Sequence, residues 1–78
     1  MENHYIEEPF VIRSYTKAEL AHLYNPDMPI AVAMRKMRYW IQRNPELYNA
    51  MYQAGEARGD HRYTRRQVRL IVEKLGEP

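Results

Sequence analysis

The sequence predicts an all-α single domain of four helices, and three observations predict it. Two start signals with capping-box spacing, Thr16 with Glu19 and Thr64 with Gln67, lie near the two ends of the chain. Apolar residues recur at helical period between them. Prolines and glycines separate the periodic segments, where they end one helix and begin the next. A chain of 78 residues forms one domain with a modest core.

The beginning of the chain is predicted to lie outside this domain. Residues 1–8 contain three glutamates and no basic residue, and we expect a flexible acidic lead before a domain at residues 9–78. Phe10–Ile12 is a short β-favouring run. It predicts either a brief strand, which would form a two-stranded ribbon with the segment around Arg62, or an extended segment that covers the core.

The first helix is predicted to begin after Thr16. Tyr15 and Leu20 have the spacing of a hydrophobic staple across that start. The helix ends by Asn25, because the residue before a proline is disfavoured in the α region. Its predicted core face carries Leu20, Leu23 and Tyr24.

The second helix, Pro29–Asn44, is the segment on which the functional hypothesis depends. Asp27 or Met28 is expected to cap it, with Pro29 at its first position. Its apolar stripe consists of Ile30, Met34, Met37 and Ile41. The segment has no acidic residue, and its opposite face is rich in hydrogen-bond donors: Arg35, Lys36, Arg38, Tyr39, Gln42 and Arg43.

Two further helices follow. Asn44 is predicted to cap the third, with Pro45 at its first position and Gly55 as its stop. Residues 55–62 are polar and predict a loop or a wing. The fourth helix begins after Thr64 and closes at Gly76. The predicted core residues of these two helices are Leu47, Tyr48, Met51, Tyr52, Val68, Ile71, Val72 and Leu75.

The charge is unevenly distributed, although the net value is only +2. All twelve basic residues lie between Arg13 and Lys74, where there are six acids. They cluster at 35–43 and 58–69. A basic body suits a polyanionic partner, although many soluble helical domains carry such a charge without one.

Several classes of function are disfavoured by composition. The absence of cysteine excludes disulfides and thiolate metal sites, and no run approaches the roughly 18 apolar residues of a membrane span. The N-terminus lacks a secretory pattern, so we expect a cytoplasmic protein without a membrane partner. The three histidines lack metal-ligand spacing and no Gly-rich phosphate loop is present. We therefore expect no enzyme, no metal and no cofactor.

Two resemblances accompany these patterns. Tyr15–Ile41, with its Thr-x-x-Glu-Leu-Ala opening, resembles the helix-turn-helix core of bacterial MerR-type and excisionase-like winged-helix regulators. Arg62–Gly76 is similar to their wing and following helix. This resemblance implies a helix-turn-helix or winged-helix-like fold and a role in transcription regulation. The turn here, with Pro26 and Pro29, is longer than the usual three or four residues.

The second resemblance covers nearly the whole chain. Pro9–Pro78 resembles a family of short bacterial proteins of unknown function, through its IRSYTKAELA opening, its W-I-x-R-x-P-E-L centre at Trp40–Leu47 and its YTRRQVRLIVEKLGEP ending. This resemblance implies no activity.

We predict from these patterns a small regulatory or accessory factor that binds double-stranded DNA with Pro29–Asn44 in the major groove. Ala31, Val32 and Arg35 are the expected base readers, and the segment 58–69 is expected to hold backbone phosphates. The residues predicted to contact DNA are Arg35, Lys36, Arg38, Tyr39, Gln42, Arg43, Arg62, Arg65 and Arg66. Arg58, His61 and Arg69 complete the second basic cluster.

Other interpretations remain open. The basic face is equally typical of a solvated helix, and arginines of the second cluster can pair with Glu56, Asp60 or Glu73. A protein–protein interaction module would use Tyr39 and Arg43 as interface anchors. RNA binding is a third alternative. The aromatic residues are interpreted as core rather than as a stacking platform. A homodimer is compatible with the sequence, which contains no dedicated dimerisation helix.

Overall fold

The computed structural model describes residues 9–78, so the acidic lead predicted at residues 1–8 lies outside the described residues. Four helices and a two-stranded antiparallel ribbon make up this part of the chain, as predicted. Their bounds are β1 (Tyr15–Thr16), α1 (Lys17–Tyr24), α2 (Ile30–Gln42), α3 (Pro45–Met51), β2 (Arg62–Tyr63) and α4 (Arg65–Leu75). A 3₁₀ turn, Gln53–Gly55, follows α3.

Both predicted capping boxes form. At α1, the Thr16 hydroxyl accepts a hydrogen bond from the Glu19 amide at 3.0 Å, and the Glu19 carboxylate accepts one from the Thr16 amide at 2.9 Å. At α4, Thr64 and Gln67 repeat the exchange at 3.1 and 3.0 Å. A side-chain N-cap stabilises a helix by about 1 kcal/mol. Asn44 caps α3, also as predicted, through its side-chain oxygen.

The core lies where α1 packs on α2 and α3 packs on α4. Ala21 on α1 and Ala33 on α2 are fully buried. Their small side chains allow α1 and α2 to approach closely. The remaining apolar core residues are Tyr15, Leu20, Met37, Ile41, Leu47, Met51, Tyr63, Val68 and Ile71.

One polar residue belongs to this core. Gln67 is fully buried, and its amide nitrogen donates to the carbonyl oxygens of Met51 at 2.8 Å and Glu56 at 3.0 Å. Its side-chain oxygen accepts from the Thr64 amide. A buried amide with all these partners ties the start of α4 to the end of α3.

The ribbon pairs a different segment from the one predicted. Tyr15 lies opposite Tyr63, and Thr16 lies opposite Arg62. Of the two alternatives for Phe10–Ile12, the strand was wrong, because that run is irregular; Phe10 and Ile12 instead pack against the core, as the other alternative predicted. Phe10 stacks on the ring of Tyr15 at 5.4 Å between centroids. Phe10–Ile12 thus covers the core with apolar side chains and pairs with no strand within residues 9–78.

Several helix ends differ from those predicted. Pro29 itself is the N-cap of α2, and neither Asp27 nor Met28 caps that helix with its side chain. Ile30, predicted in the core stripe, is 49% exposed in the first turn of α2, and Leu23 is 46% exposed near the end of α1. Both lie at helix ends and line one surface depression between α1 and α2. The third helix ends at Met51 rather than at Gly55.

No helix within residues 9–78 has the length and apolar character needed to cross a membrane.

Candidate nucleic-acid interface

The outer face of α2 lies opposite its buried residues Ala33, Met37 and Ile41. It is exposed to solvent along the helix. The exposed residues on this face are Ala31, Arg35, Arg38, Tyr39, Gln42 and Arg43. Because the helix contains no carboxylate, this face presents cationic and neutral donors only. We call these six residues the α2 face.

Two residues of the predicted DNA-contact set pack against aromatic rings. The Arg43 guanidinium lies 5.4 Å from the centroid of Tyr39, and its Nη1 donates to the Tyr39 hydroxyl at 3.1 Å. Lys36 is partly buried with its Nζ 5.5 Å from the centroid of Trp40. Cation–π contacts of this kind fix a long side chain on the helix surface. Val32, an expected base reader, is also partly buried.

The second basic cluster is divided by the fold. Arg66 is held within the domain, because its Nη2 lies 2.6 Å from the Glu56 carboxylate and donates to the Ala50 carbonyl at 2.7 Å. Arg62 donates to the Ser14 hydroxyl and carbonyl at 3.0 and 3.2 Å. Arg65, His61 and Arg69 are exposed. The internal pairing that the sequence left open is therefore present at Arg66.

A cleft of about 200 Å³ joins parts of the two clusters. Arg38 and Gln42 of α2 line one side, and Arg58, from the turn after α3, lines the other. We call this the Arg58 cleft. Its full lining is Lys17, Arg38, Ile41, Gln42, Tyr48, Tyr52, Arg58 and Tyr63. Arg38 and Arg58 thus face one concavity, although they are remote in sequence.

Lys17 is a cleft residue that sequence patterns did not single out. It is the first residue of α1, and its Nζ lies 5.5 Å from the centroid of Tyr63. Its backbone amide donates to the His61 carbonyl at 2.8 Å. The ribbon therefore brings Lys17 beside the segment 58–63, and only the register of that ribbon would have indicated it.

Two tyrosines of the cleft, Tyr52 and Tyr63, have raised pKa values. Burial raises the pKa of Tyr63, with a smaller contribution from Tyr52 beside it. Burial likewise raises the pKa of Tyr52. Both hydroxyls are therefore available as hydrogen-bond donors.

The α2 face and the Arg58 cleft offer hydrogen-bond donors and positive charge. Within residues 9–78, no cluster of three or more His, Asp or Glu side chains is placed to hold a metal ion. What the surface does offer is a row of donors on α2 beside a cationic, aromatic cleft. Such donors bind the oxygens of phosphate groups or the acceptor edges of bases.

Comparison with known proteins identifies the family. The sequence profile of a domain of unknown function, DUF4248, matches residues 11–78. The chain belongs to the DUF4248 family. This confirms the predicted membership in a family of unknown function, and the match covers every element of the DUF4248 domain described above. No curated protein and no solved structure gives a significant match to the chain.

Proposed function

We propose that the chain binds double-stranded DNA as a small regulatory or accessory factor, with α1 and α2 as a helix-turn-helix unit. In this proposal α2 enters the major groove. The observation that carries it is the α2 face, which is exposed, rich in donors and free of carboxylates.

The dimensions of this face support the proposal. Arg35 and Gln42 are seven residues apart, so they are separated by about 10 Å along the helix axis. Arg38 lies between them on the same side. A major groove about 12 Å wide admits a helix of about 10–12 Å diameter, and there Arg pairs with guanine and Gln with adenine.

The other residues take supporting roles. Arg58 and Lys17, across the Arg58 cleft from α2, extend the cationic surface beyond the helix. Arg62 and Arg65 are exposed near the start of α4 and are proposed to contact phosphates. Arg66 takes no such role in the proposal, because Glu56 and two backbone carbonyls already bind its guanidinium. A homodimer would double this small footprint on DNA.

The test is fluorescence anisotropy of a labelled random-sequence duplex, titrated with the chain at roughly 50 and 200 mM salt. About five phosphate contacts give a log–log slope of about −4 to −5 and micromolar affinity at the lower salt. Duplex RNA of the same length is the comparison, because its deep, narrow major groove does not admit a helix.

Matched arginine variants locate the contact. Arg35→Gln is expected to weaken binding by about 1–3 kcal/mol if it reads a base, and Arg38→Gln to reduce the salt slope by about 1 if it binds a phosphate. Arg69→Gln removes an exposed arginine of α4 and serves as the control. Absence of binding at about 50 μM chain in low salt would overturn the proposal.

A second candidate function is favoured by one observation. Tyr39 is 54% exposed, and Arg43 stacks on it while donating to its hydroxyl. Tyr and Arg dominate the binding energy of protein interfaces, and this pair is already ordered on the surface. If this second function holds, a protein partner with an acidic surface loses affinity on Tyr39→Ala, and the wild-type chain does not bind the random duplex in the anisotropy titration.

A further inference from the structure

The Arg58 cleft has a composition that the proposed contact with DNA does not require. Three cationic side chains, Lys17, Arg38 and Arg58, line it together with Gln42 and three tyrosines. Among the described residues, no carboxylate lines this cleft. Three positive charges around one small concavity repel one another unless an anion lies between them.

Tyr63 supplies a second, independent observation. The residue is only 2% exposed and lines the cleft. Arg38 and Tyr52 are close enough to influence the pKa of this hydroxyl, which burial raises above its ordinary value. Both neighbours also line the cleft. A tyrosine hydroxyl is a hydrogen-bond donor that a phosphate oxygen in the cleft would accept from.

Arg58 is held in place before any ligand binds. Its guanidinium lies 5.5 Å from the ring centroids of both Tyr48 and Tyr52, and it donates to the Tyr48 hydroxyl. The turn that presents it contains Ala54 and Ala57 at φ of 55° and 50°, conformations that alanine adopts only at a cost. A pre-ordered arginine loses less entropy when it binds an anion.

We propose that the Arg58 cleft is a binding site for the phosphate monoester of a small phosphorylated molecule. A phosphate monoester carries −1.5 to −2 charges at about pH 7 and three strong acceptor oxygens. This charge and these acceptors match three cations and a row of tyrosine and glutamine donors. A diester has one negative charge and two free oxygens, so it satisfies fewer of these groups. The neighbouring tyrosine rings suit an aromatic substituent on the phosphate.

Monoester binding to the Arg58 cleft is tested independently of the DNA proposal, because the titration contains no DNA. The two share Arg38 and Gln42. If both proposals hold, a phosphate monoester in the cleft weakens duplex binding, and the duplex weakens monoester binding by the same factor.

The experiment is a heteronuclear NMR titration of the ¹⁵N-labelled chain with phenyl phosphate at constant ionic strength. The comparison ligands are inorganic phosphate, dimethyl phosphate as a diester, and acetate as a simple anion. We expect saturable shifts of the Lys17, Arg38, Arg58 and Tyr63 amides, with a Kd of about 1 mM or tighter for phenyl phosphate. Inorganic phosphate should shift the same amides, and dimethyl phosphate should bind about tenfold more weakly. Binding should weaken below about pH 6, where the monoester loses its second charge.

Variants distinguish the cleft from the general basic surface. Arg58→Gln is expected to raise the Kd about tenfold, and Tyr63→Phe, which keeps the ring, to raise it several-fold. Arg69→Gln removes an exposed arginine outside the cleft and is expected to leave the Kd within twofold. Shifts spread evenly over the basic surface, equal shifts with acetate, or equal losses in Arg58→Gln and Arg69→Gln would overturn the proposal. If a variant does not fold, the wild-type titration still tests the proposal, because it shows whether the shifts are confined to the cleft and absent with acetate.

Discussion

Glu56 and Arg66 form an ion pair that joins the turn after α3 to the first turn of α4. The Arg66 Nε donates to Glu56 Oε1 at 2.8 Å, while the Thr64 hydroxyl donates to Glu56 Oε2 at 2.5 Å. Both carboxylate oxygens are therefore used, and Thr64 is at the same time the N-cap of α4. One carboxylate thus connects an irregular turn to a helix start.

The first prediction concerns the pH dependence of stability. Hydrogen bonds from Arg66 and then Thr64 lower the pKa of Glu56 from its ordinary value of 4.5, and a backbone hydrogen bond from Thr16 lowers the pKa of Glu19. A lowered pKa in the folded state contributes stability above the unfolded pKa, and this is lost as pH falls through the folded value. The unfolding temperature is therefore expected to decline below about pH 4.5.

Glu56→Gln tests that assignment by thermal unfolding across this range. The variant is expected to have a lower unfolding temperature at neutral pH and a shallower decline in acid. Glu46→Gln removes an exposed pair with Lys74 at 3.2 Å and is expected to leave the neutral unfolding temperature nearly unchanged. Parallel acid declines in wild type and Glu56→Gln would contradict the assigned role.

The second prediction concerns the buried amide. Gln67→Leu keeps the approximate size of the side chain but leaves the Met51 and Glu56 carbonyls and the Thr64 amide without this partner. We expect a loss of about 1–3 kcal/mol in the free energy of unfolding, measured by denaturant titration. Gln53→Leu, at an exposed position, is the control. A Gln67→Leu domain as stable as wild type would show that these bonds contribute no net stability.

The third prediction concerns alkaline titration. Burial raises the pKa of Tyr24 to about 12 and also raises the pKa of Tyr52 and Tyr63. A raised folded pKa contributes stability that is complete below the unfolded value of 10.0 and is lost as pH rises through the folded value. We expect tyrosinate absorbance to show late-titrating groups, with unfolding as they ionise. Tyr24→Phe should remove one of these groups. Ionisation of every tyrosine near its ordinary pKa in the folded domain would contradict the burial described here.

The fourth prediction concerns backbone strain in the turn after α3. Ala54 is exposed and has φ of 55°, a region that glycine occupies without cost. Ala54→Gly is therefore expected to stabilise the domain by about 1 kcal/mol in denaturant titration. Ala31→Gly, at an exposed position of α2, is expected to destabilise it by about 0.5–1 kcal/mol. A loss of stability in both variants would argue against the left-handed conformation at Ala54.

The starts of the helices could be predicted from sequence because they depend on neighbouring residues. Thr16, Asn44 and Thr64 each bond to an amide three residues ahead, and this spacing is visible in the chain itself. Burial near a helix end could not be predicted in the same way. Ile30 and Leu23 have the correct helical period, but whether they are covered depends on where the adjacent helix stops.

The candidate site was only partly predictable for a similar reason. Arg65 and Arg66 are adjacent and chemically identical, yet Arg65 is exposed and Arg66 is bound by Glu56. That difference depends on the path of the irregular turn, which has no periodicity. Lys17 and Arg58 face one cleft only because of the ribbon register. The α2 face, in contrast, follows directly from the period of a single helix.

The pairing of Tyr15 with Tyr63 also has a consequence for the order of folding events. It joins segments near opposite ends of the described chain and closes a large loop, so we expect it to form after the more local contacts of α1 with α2 and α3 with α4. Perturbations of the ribbon should then accelerate unfolding while leaving the refolding rate nearly unchanged. Because Lys17 reaches the Arg58 cleft through this ribbon, the cleft is completed only at the last stage of folding.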